Sequence, residues 1–180
     1  MAAYAADQDA VVQSACIGTV TRSASDRAAV PNAVSTIQGE DIQAFHRKVS
    51  PAEAFTGIPG VFVENRRNFS LSGGVQLAMR SPLPRFGIRG IQIVQDGIPL
   101  TLADGTTEPT NLDLGSVGRV EVLKGPSSVL YGNSAGGVIS LRTEFPASDS
   151  LVVEPDIQFG SYGYQHQSVK LHGTRGKVSY

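Results

Sequence analysis

The stretch from Val120 to Thr143 constrains the fold of this chain more than any other part of it. Two apolar strand patterns lie at its ends, and only a Gly-Pro step and a glycine cluster separate them. Such close spacing leaves room for a tight corner and a single helical turn between two strands. The residues with a predicted part in this corner are Lys124, Gly125, Pro126, Tyr131, Gly132, Gly136 and Gly137.

The backbone conformation expected at each position of the corner explains why glycine or proline is found there. Gly125 can cap a helix, and Pro126 suits the first helical position, where its missing N–H is not needed. Gly132 is expected to end the turn, because glycine accepts the positive φ that stops a helix. We expect Gly136 or Gly137 also to have a positive φ where the chain turns into the second strand.

A phosphate-binding loop is an alternative interpretation of the same glycines. The stretch follows a strand and is rich in glycine, as such loops are. It lacks the Gly-Lys-Ser/Thr ending that holds a phosphate, and Lys124 precedes the glycines instead of following them. A packing corner is therefore the preferred interpretation.

The corner resembles the signature near the end of the plug domain of TonB-dependent outer-membrane receptors. The resemblance covers most of the chain, from Thr19 to Thr143. It includes the run from Ser50 to Glu53, which has the pattern of a helix capping box with proline at the first helical position. It also includes Asp96-Gly97, a type I′ hairpin signal between two strands.

One part of the chain departs from the family pattern. Family members have an Ile-Arg-Gly strand end, then a loop, then the strand that leads into the Asp-Gly turn. Ile88-Arg89-Gly90 lies too close to Asp96 to leave room for that loop. We therefore assign the strand end to Met79-Arg80-Ser81 and the loop to Ser81–Gly87.

The resemblance implies an α+β fold: a small mixed β-sheet plug domain with short helices, followed by the opening antiparallel hairpin strands of an incomplete β-barrel. We assign residues 1–18 to a flexible N-terminal arm, 19–146 to the plug, and 147–180 to the first strands of a truncated transmembrane β-barrel. This last part alternates polar and apolar residues, as barrel strands do. Because the family barrel has about 22 strands, the chain is expected to be a fragment.

The same resemblance implies the function of a gating plug in a bacterial outer-membrane TonB-dependent active transporter. The plug would block the barrel lumen and take part in binding and energised uptake of a scarce nutrient, such as a ferric siderophore. Its partners would be the TonB protein of the inner-membrane energising complex, its own C-terminal barrel, and a small-molecule cargo such as a metal chelate. Alternatives are a signalling receptor of the same family, which needs a further folded domain before the plug, and a free-standing periplasmic binding or interaction module without a barrel.

Two groups of contact residues follow from the resemblance. A short TonB box, which adds as an extended strand to a partner's sheet edge, is faintly matched by Asp9, Ala10, Val11 and Val12, although a simple lead segment explains them equally well. Three loops, Glu64–Gly74, Ser81–Gly87 and Thr101–Asn111, would share the outward end of the plug, opposite the arm. Guanidinium groups there could pair with anionic cargo, although ordinary solvated arginines are the alternative. The predicted cargo residues are Arg66, Arg67, Arg85, Asn65, Asn68 and Asp104.

Composition excludes several other functions. Lys and Arg number 15 against 16 Asp and Glu, so the net charge of −1 gives no reason to expect a nucleic-acid partner. His46, His166 and His172 have no metal-ligand spacing with one another or with Cys16. We therefore expect no enzyme activity, cofactor or metal site.

Overall fold

The computed structural model describes residues 16–18, 23, 25–45, 50–65, 74–80, 82–84, 87–107, 112–144, 151–175 and 178–179. Three short α-helices lie among the described residues: α1 (Gly39–Phe45), α2 (Pro51–Phe55) and α3 (Ser128–Tyr131). The described strands are β1 (Cys16–Ile17), β2 (Ser25–Asp26), β3 (Ala33–Gln38), β4 (Val61–Asn65), β5 (Val75–Met79), β6 (Ile88–Arg89), β7 (Ile91–Gln95), β8 (Ile98–Pro99), β9 (Thr106–Thr107), β10 (Val117–Lys124), β11 (Gly137–Thr143), β12 (Val152–Phe159), β13 (Gln165–His172), β14 (Thr174–Arg175) and β15 (Val178–Ser179).

A mixed five-stranded sheet forms the centre of the fold. Its strand order is β3-β10-β11-β7-β8, and β11 pairs with β7 in parallel while the other neighbours are antiparallel. The alternating strand pattern places Val120 and Val122 of β10 beside Ile139 and Leu141 of β11 on one fully buried face. The predicted small mixed sheet is thereby confirmed.

A second sheet, with strand order β4-β5-β6-β9, covers that face of the central sheet. Every residue of β5 is buried, which fits a strand with neighbours on both sides and packing on both faces. Leu77, Met79 and Ile88 of this sheet join the core, together with Ile42 of α1 and Phe55 of α2. Burial of so many aliphatic side chains between the two sheets supplies the main favourable free energy of folding.

The predicted start of α2 is confirmed in part. The hydroxyl oxygen of Ser50 accepts a hydrogen bond from the backbone N–H of Ala52 at 3.3 Å, and Pro51 occupies the first turn. The return contact of a capping box is not seen at Glu53, whose buried Oε2 has no hydrogen-bond partner among the described residues. Instead, the side-chain amide of Asn65 donates to the Ser50 hydroxyl at 3.1 Å. The end of β4 thus supports the start of the helix.

The Asp-Gly hairpin turn is also confirmed. Asp96 and Gly97 have φ angles of 49° and 86°, as a type I′ turn requires, and they join β7 to β8. The Asp96 carboxylate accepts hydrogen bonds from the backbone N–H and the hydroxyl of Thr143, the former at 2.8 Å. The turn is therefore tied to the end of β11. The assignment of Met79 as a strand end also agrees with the structure, since β5 ends there and residues 80–87 lead to β6.

Beyond the two packed sheets, β12 and β13 form an antiparallel hairpin of eight paired residues per strand. This confirms the predicted opening hairpin, and the sheets of the described part do not close on themselves. None of the helices in the described ranges is long and apolar enough to cross a membrane.

Candidate functional site

The glycine corner closes the hairpin between β10 and β11. Lys124 and Gly137 form the last strand pair, and the backbone N–H of Gly125 continues the ladder by donating to the carbonyl of Gly136 at 2.9 Å. The N–H of Ser127 then donates to the carbonyl of Ser134, which is fully buried, at 3.1 Å. Helix α3 lies inside this closed loop.

The predicted start of the corner helix is wrong by two residues. Helix α3 begins at Ser128 with Ser127 at the N-cap, whereas Gly125 and Pro126 were expected to cap and open it. Gly125 has a φ of 117° and is still part of the hairpin ladder, so the chain becomes helical only after Ser127. Gly132 ends the helix as predicted, with a φ of 73° and its N–H bonded to the carbonyl of Ser128.

Gly136 and Gly137 are required for different reasons. A Cβ on Gly136 would stand 2.8 Å from the carbonyl oxygen of Met79, closer than side chains tolerate, so only glycine allows this approach. Gly137 has a φ of 155°, which confirms the predicted positive φ. A Cβ there would also stand less than 3.0 Å from the carbonyl oxygen of Leu123. Glycine is therefore required at position 136 because of close backbone contact, and at position 137 because of both close contact and the φ angle.

The strands of the second sheet run between two opposite ends of that sheet, which we call its edges. β4 and β9 end at one of them, and β5 and β6 begin there; we call this end the loop edge. Asn65 at the end of β4 pairs with Val75 at this edge. The opposite edge, where Val61 pairs with Met79, faces the glycine corner, and we call it the corner edge.

Several contacts hold the glycine corner against the corner edge. The N–H of Gly136 donates to the carbonyl of Gly90 at 2.8 Å. The guanidinium of Arg80 lies beside Gly125, and the aliphatic part of Lys124 lies beside Gly60. The corner is thus the joint between the two sheets, and it is positioned by backbone hydrogen bonds as well as by packing.

Of the described residues in the predicted cargo loops, Glu64 and Asn65 end β4 at the loop edge, and Thr107 ends β9 there. The turn Leu102–Gly105 precedes β9 and lies toward the corner edge, next to Asn133. The part of Thr101–Asn111 that contains Asp104 is therefore on the far side of the sheet from Asn65.

Asp104 has a structural partner in its own turn. Its Oδ1 accepts hydrogen bonds from the hydroxyl of Thr106 at 2.7 Å and from the N–H of Thr106 at 2.9 Å. The hydroxyl contact, followed by the N–H contact and the nearby charge of Arg89, lowers the pKa of the Asp104 carboxyl below its ordinary value. The carboxylate is therefore held ionised in an exposed Asx turn.

A family model described as the TonB-dependent receptor plug domain matches residues 26–138 of the chain. The match covers the central sheet up to the start of β11, including the whole glycine corner. The chain belongs to this family. The matched range lies within the plug predicted at residues 19–146, whose exact boundaries, like those of the arm and the barrel strands, stay predictions.

Similar proteins agree with the plug assignment. The chain is 32% identical over 109 residues to a hemin receptor from Yersinia enterocolitica, covering 60% of the chain and 15% of the receptor. It is 27% identical over 152 residues to the vitamin B12 transporter BtuB from Vibrio vulnificus, covering 83% of the chain and 24% of the transporter. The chain thus spans less than a quarter of these relatives, which are a receptor and a transporter and not enzymes.

The fold of the plug is shared with solved receptor structures. The ferripyoverdine receptor of the outer membrane of Pseudomonas aeruginosa superposes with a TM-score of 0.67 at 19% identity, covering 90% of the chain and 20% of the receptor. The ferric yersiniabactin uptake receptor FyuA of Yersinia pestis gives a TM-score of 0.58 at 21% identity, covering 79% of the chain and 21% of the receptor. At these identities the likeness shows the fold of the plug and no more.

Most of the predicted contact residues lie outside the described part of the chain. These are Asp9, Ala10, Val11, Val12, Arg66, Arg67, Asn68 and Arg85. Asn65 and Asp104 are described, each with the structural partner given above, and their contact with cargo stays a prediction. Within the described ranges, no group of three or more His, Cys, Asp or Glu side chains is arranged to hold a metal ion.

A buried charged pair in β10 was missed in the sequence. Glu121 is 2% exposed, and its Oε1 lies 3.2 Å from Nε of Arg119 on the same face of the strand. Its Oε2 accepts a hydrogen bond from the backbone N–H of Gly18 at 3.0 Å. The available signal was the Arg-x-Glu spacing, which places two opposite charges on one face of an otherwise apolar strand.

Proposed function

We propose that this chain is the gating plug, with the first barrel strands, of a bacterial outer-membrane TonB-dependent active transporter. In this proposal the chain is part of a longer receptor whose barrel surrounds the plug. The plug blocks the lumen until bound cargo and the TonB protein together loosen it. Energy reaches the plug from the inner membrane through the N-terminal arm.

The observation that carries the proposal is the continuation of a plug domain into a hairpin with two different faces. One face of β12 and β13 carries apolar side chains that are 54% to 72% exposed. These are Val153, Ile157, Phe159, Val169 and Leu171.

The other face of the hairpin is polar and turns toward the plug. Lys170 pairs with Glu144 at the end of the plug and, at 3.7 Å, with Glu154. His172 lies 3.3 Å from the same Glu154 carboxylate. Such alternation suits a strand between lipid and a polar lumen, whereas a free-standing soluble module has no use for an exposed apolar row.

The N-terminal arm is proposed to bind the TonB protein through Asp9, Ala10, Val11 and Val12. An extended segment of this kind can add to a partner's sheet edge through its backbone, so few side-chain features are needed. The arm would lie on the periplasmic side, where the inner-membrane complex can reach it.

The cargo is proposed to be a small molecule such as a metal chelate. The named relatives include a hemin receptor, a vitamin B12 transporter and a ferripyoverdine receptor. The proposed cargo surface contains Asn65, which ends β4 at the loop edge, and Arg66, Arg67 and Asn68, which follow it in the sequence. Arg85 is the further cationic candidate, and Asp104 would contribute only from the corner edge.

Uptake by the complete receptor tests this function. A host that lacks its own receptors is supplied with radiolabelled hemin, cobalamin or a ferric siderophore. We expect saturable uptake of one of them, lost when the TonB protein is absent and when Val11→Pro removes a backbone donor from the predicted TonB strand. The matched control, Gln8→Pro, should retain uptake. Uptake without TonB, or recovery of the protein from the periplasm and not the outer membrane, would contradict the proposal.

A further inference from the structure

On the second face of the central sheet, the carboxylate of Glu121 accepts a hydrogen bond from a residue far away in the sequence. Glu121 points to this face because Val120 and Val122, its neighbours in β10, fill the main core. Oε1 of its carboxylate forms an ion pair with Arg119, and Oε2 accepts a hydrogen bond from the backbone N–H of Gly18, 103 residues away. A buried carboxylate with both oxygens engaged is a strong acceptor, since hydrogen bonds to an ionised group are shorter and stronger than neutral ones.

Gly18 is suited to this position because it has no side chain. It is buried, and a Cβ there would require the end of the exposed Arg142 side chain to move aside; Arg142 forms a cross-strand pair with Arg119. The N-terminal backbone can therefore approach the sheet closely between Arg142 and the Glu121 carboxylate.

Among the described residues, Gly18 is the first along the chain that forms a hydrogen bond with a strand of the central sheet. β1 pairs with β2 through two residue pairs, Cys16↔Asp26 and Ile17↔Ser25, and neither strand belongs to the central sheet. Gly18, which donates this hydrogen bond to Glu121, comes before β3 in the sequence, and β3 is the first described strand of the central sheet.

We propose that Glu121 fastens the N-terminal segment Cys16–Gly18 to the central sheet and is the first contact with that sheet to break when the arm is pulled. The fastening rests on the geometry alone, and the pulling rests on the function proposed above. Glu121 is thus a positioning residue: it decides how firmly the segment next to the TonB-binding arm is attached to the plug.

Amide hydrogen exchange of the full chain tests the fastening. Glu121→Gln keeps the size and an acceptor oxygen but removes the charge, and Glu121→Leu removes the acceptor. We expect exchange at the Gly18 amide to accelerate on the order of tenfold in the first variant and further in the second. The amides of Val120 and Ile139 report global stability, and Glu40→Gln on the exposed side of α1 is the charge-matched control.

Comparison of exchange at Gly18 with exchange at Ile139 separates a local effect of the variants from a global loss of stability. Faster exchange at Gly18 with unchanged exchange at Ile139 supports the proposal. If Glu121→Leu also accelerates Ile139, the variant is globally destabilised and Glu121→Gln decides. Unchanged exchange at Gly18 in Glu121→Gln, or equal acceleration in Glu40→Gln, overturns it.

Force applied to the N-terminus of the single chain tests the pulling. We expect the first extension step to occur at lower force in Glu121→Gln than in the wild type, and an unchanged first step would refute that part. Failure of TonB-dependent uptake would leave the exchange result standing. Conversely, unchanged exchange at Gly18 would refute the proposed role of Glu121 even in a receptor that depends on TonB.

Discussion

Three glycines of the corner allow a graded test of why the chain needs them. Gly132 has a φ of 73° and open space where a Cβ would be. Gly136 has no left-handed φ, but a Cβ would stand 2.8 Å from the Met79 carbonyl oxygen. Gly137 combines a φ of 155° with a Cβ position less than 3.0 Å from the Leu123 carbonyl oxygen. Alanine at each position therefore isolates φ, close approach, and both together.

The expected losses follow from these three geometries. Gly132→Ala should lower the free energy of unfolding by about 1 kcal/mol, the strain of a positive φ for a residue with a Cβ. Gly136→Ala should lower it by about 1–3 kcal/mol, because a backbone oxygen cannot move aside as a flexible side chain can. Gly137→Ala adds both effects and should lose about 2–4 kcal/mol.

Equilibrium unfolding in urea measures this series. The midpoint should fall in the order Gly132→Ala, Gly136→Ala, Gly137→Ala while the slope stays constant, which shows that native stability has changed and not the unfolded state. Thermal midpoints should fall by about 2–4 °C for each kcal/mol. A Gly137→Ala variant as stable as Gly132→Ala would refute the packing explanation of the corner.

Three further predictions concern the core, the Asp104 turn and the cargo loops. Leu141→Ala, at a fully buried position, should lose about 2–5 kcal/mol in urea unfolding, whereas Leu171→Ala on the exposed hairpin face should change it by about 0.5 kcal/mol or less. The folded-state pKa of Asp104 is lowered, so the carboxylate contributes to the free energy of unfolding above its ordinary pKa, and this contribution is lost as the pH falls through the folded-state pKa. Between about pH 5 and pH 3 the wild type should therefore lose more stability than Asp104→Asn. Identical pH profiles of the two proteins would contradict this. Charge reversal of Arg66, Arg67 and Arg85 to Glu in the complete receptor should weaken binding of an anionic cargo in equilibrium titration without shifting the thermal midpoint, and unchanged affinity would count against these residues.

Local sequence rules predicted those features whose cause is local. The Asp96-Gly97 turn and the end of α3 at Gly132 follow from the φ angles that only particular residues accept, so the residue types disclose them. The Ser50 cap is equally local. A positive φ at Gly136 or Gly137 was also predictable, since glycine readily adopts one where the chain turns sharply into a strand.

Features fixed by distant contacts were not predictable in this way. The start of α3 is delayed by the hydrogen bond from Gly125 to Gly136, which depends on how the hairpin closes. The partner of Glu121 is a backbone N–H more than a hundred residues away, which no spacing rule identifies. The location of Asp104 at the corner edge depends on the register of β6 and β9, which the sequence pattern leaves open.

Ion conductance of the complete receptor in a planar lipid bilayer tests most directly whether this domain gates a barrel. The intact receptor should conduct little if, as proposed, the plug fills the lumen. Deletion of residues 26–138, the range of the plug match, should open a large and steady conductance. Equal conductance with and without the plug, or failure of either protein to insert into the bilayer, would contradict the assignment of this chain as a barrel plug.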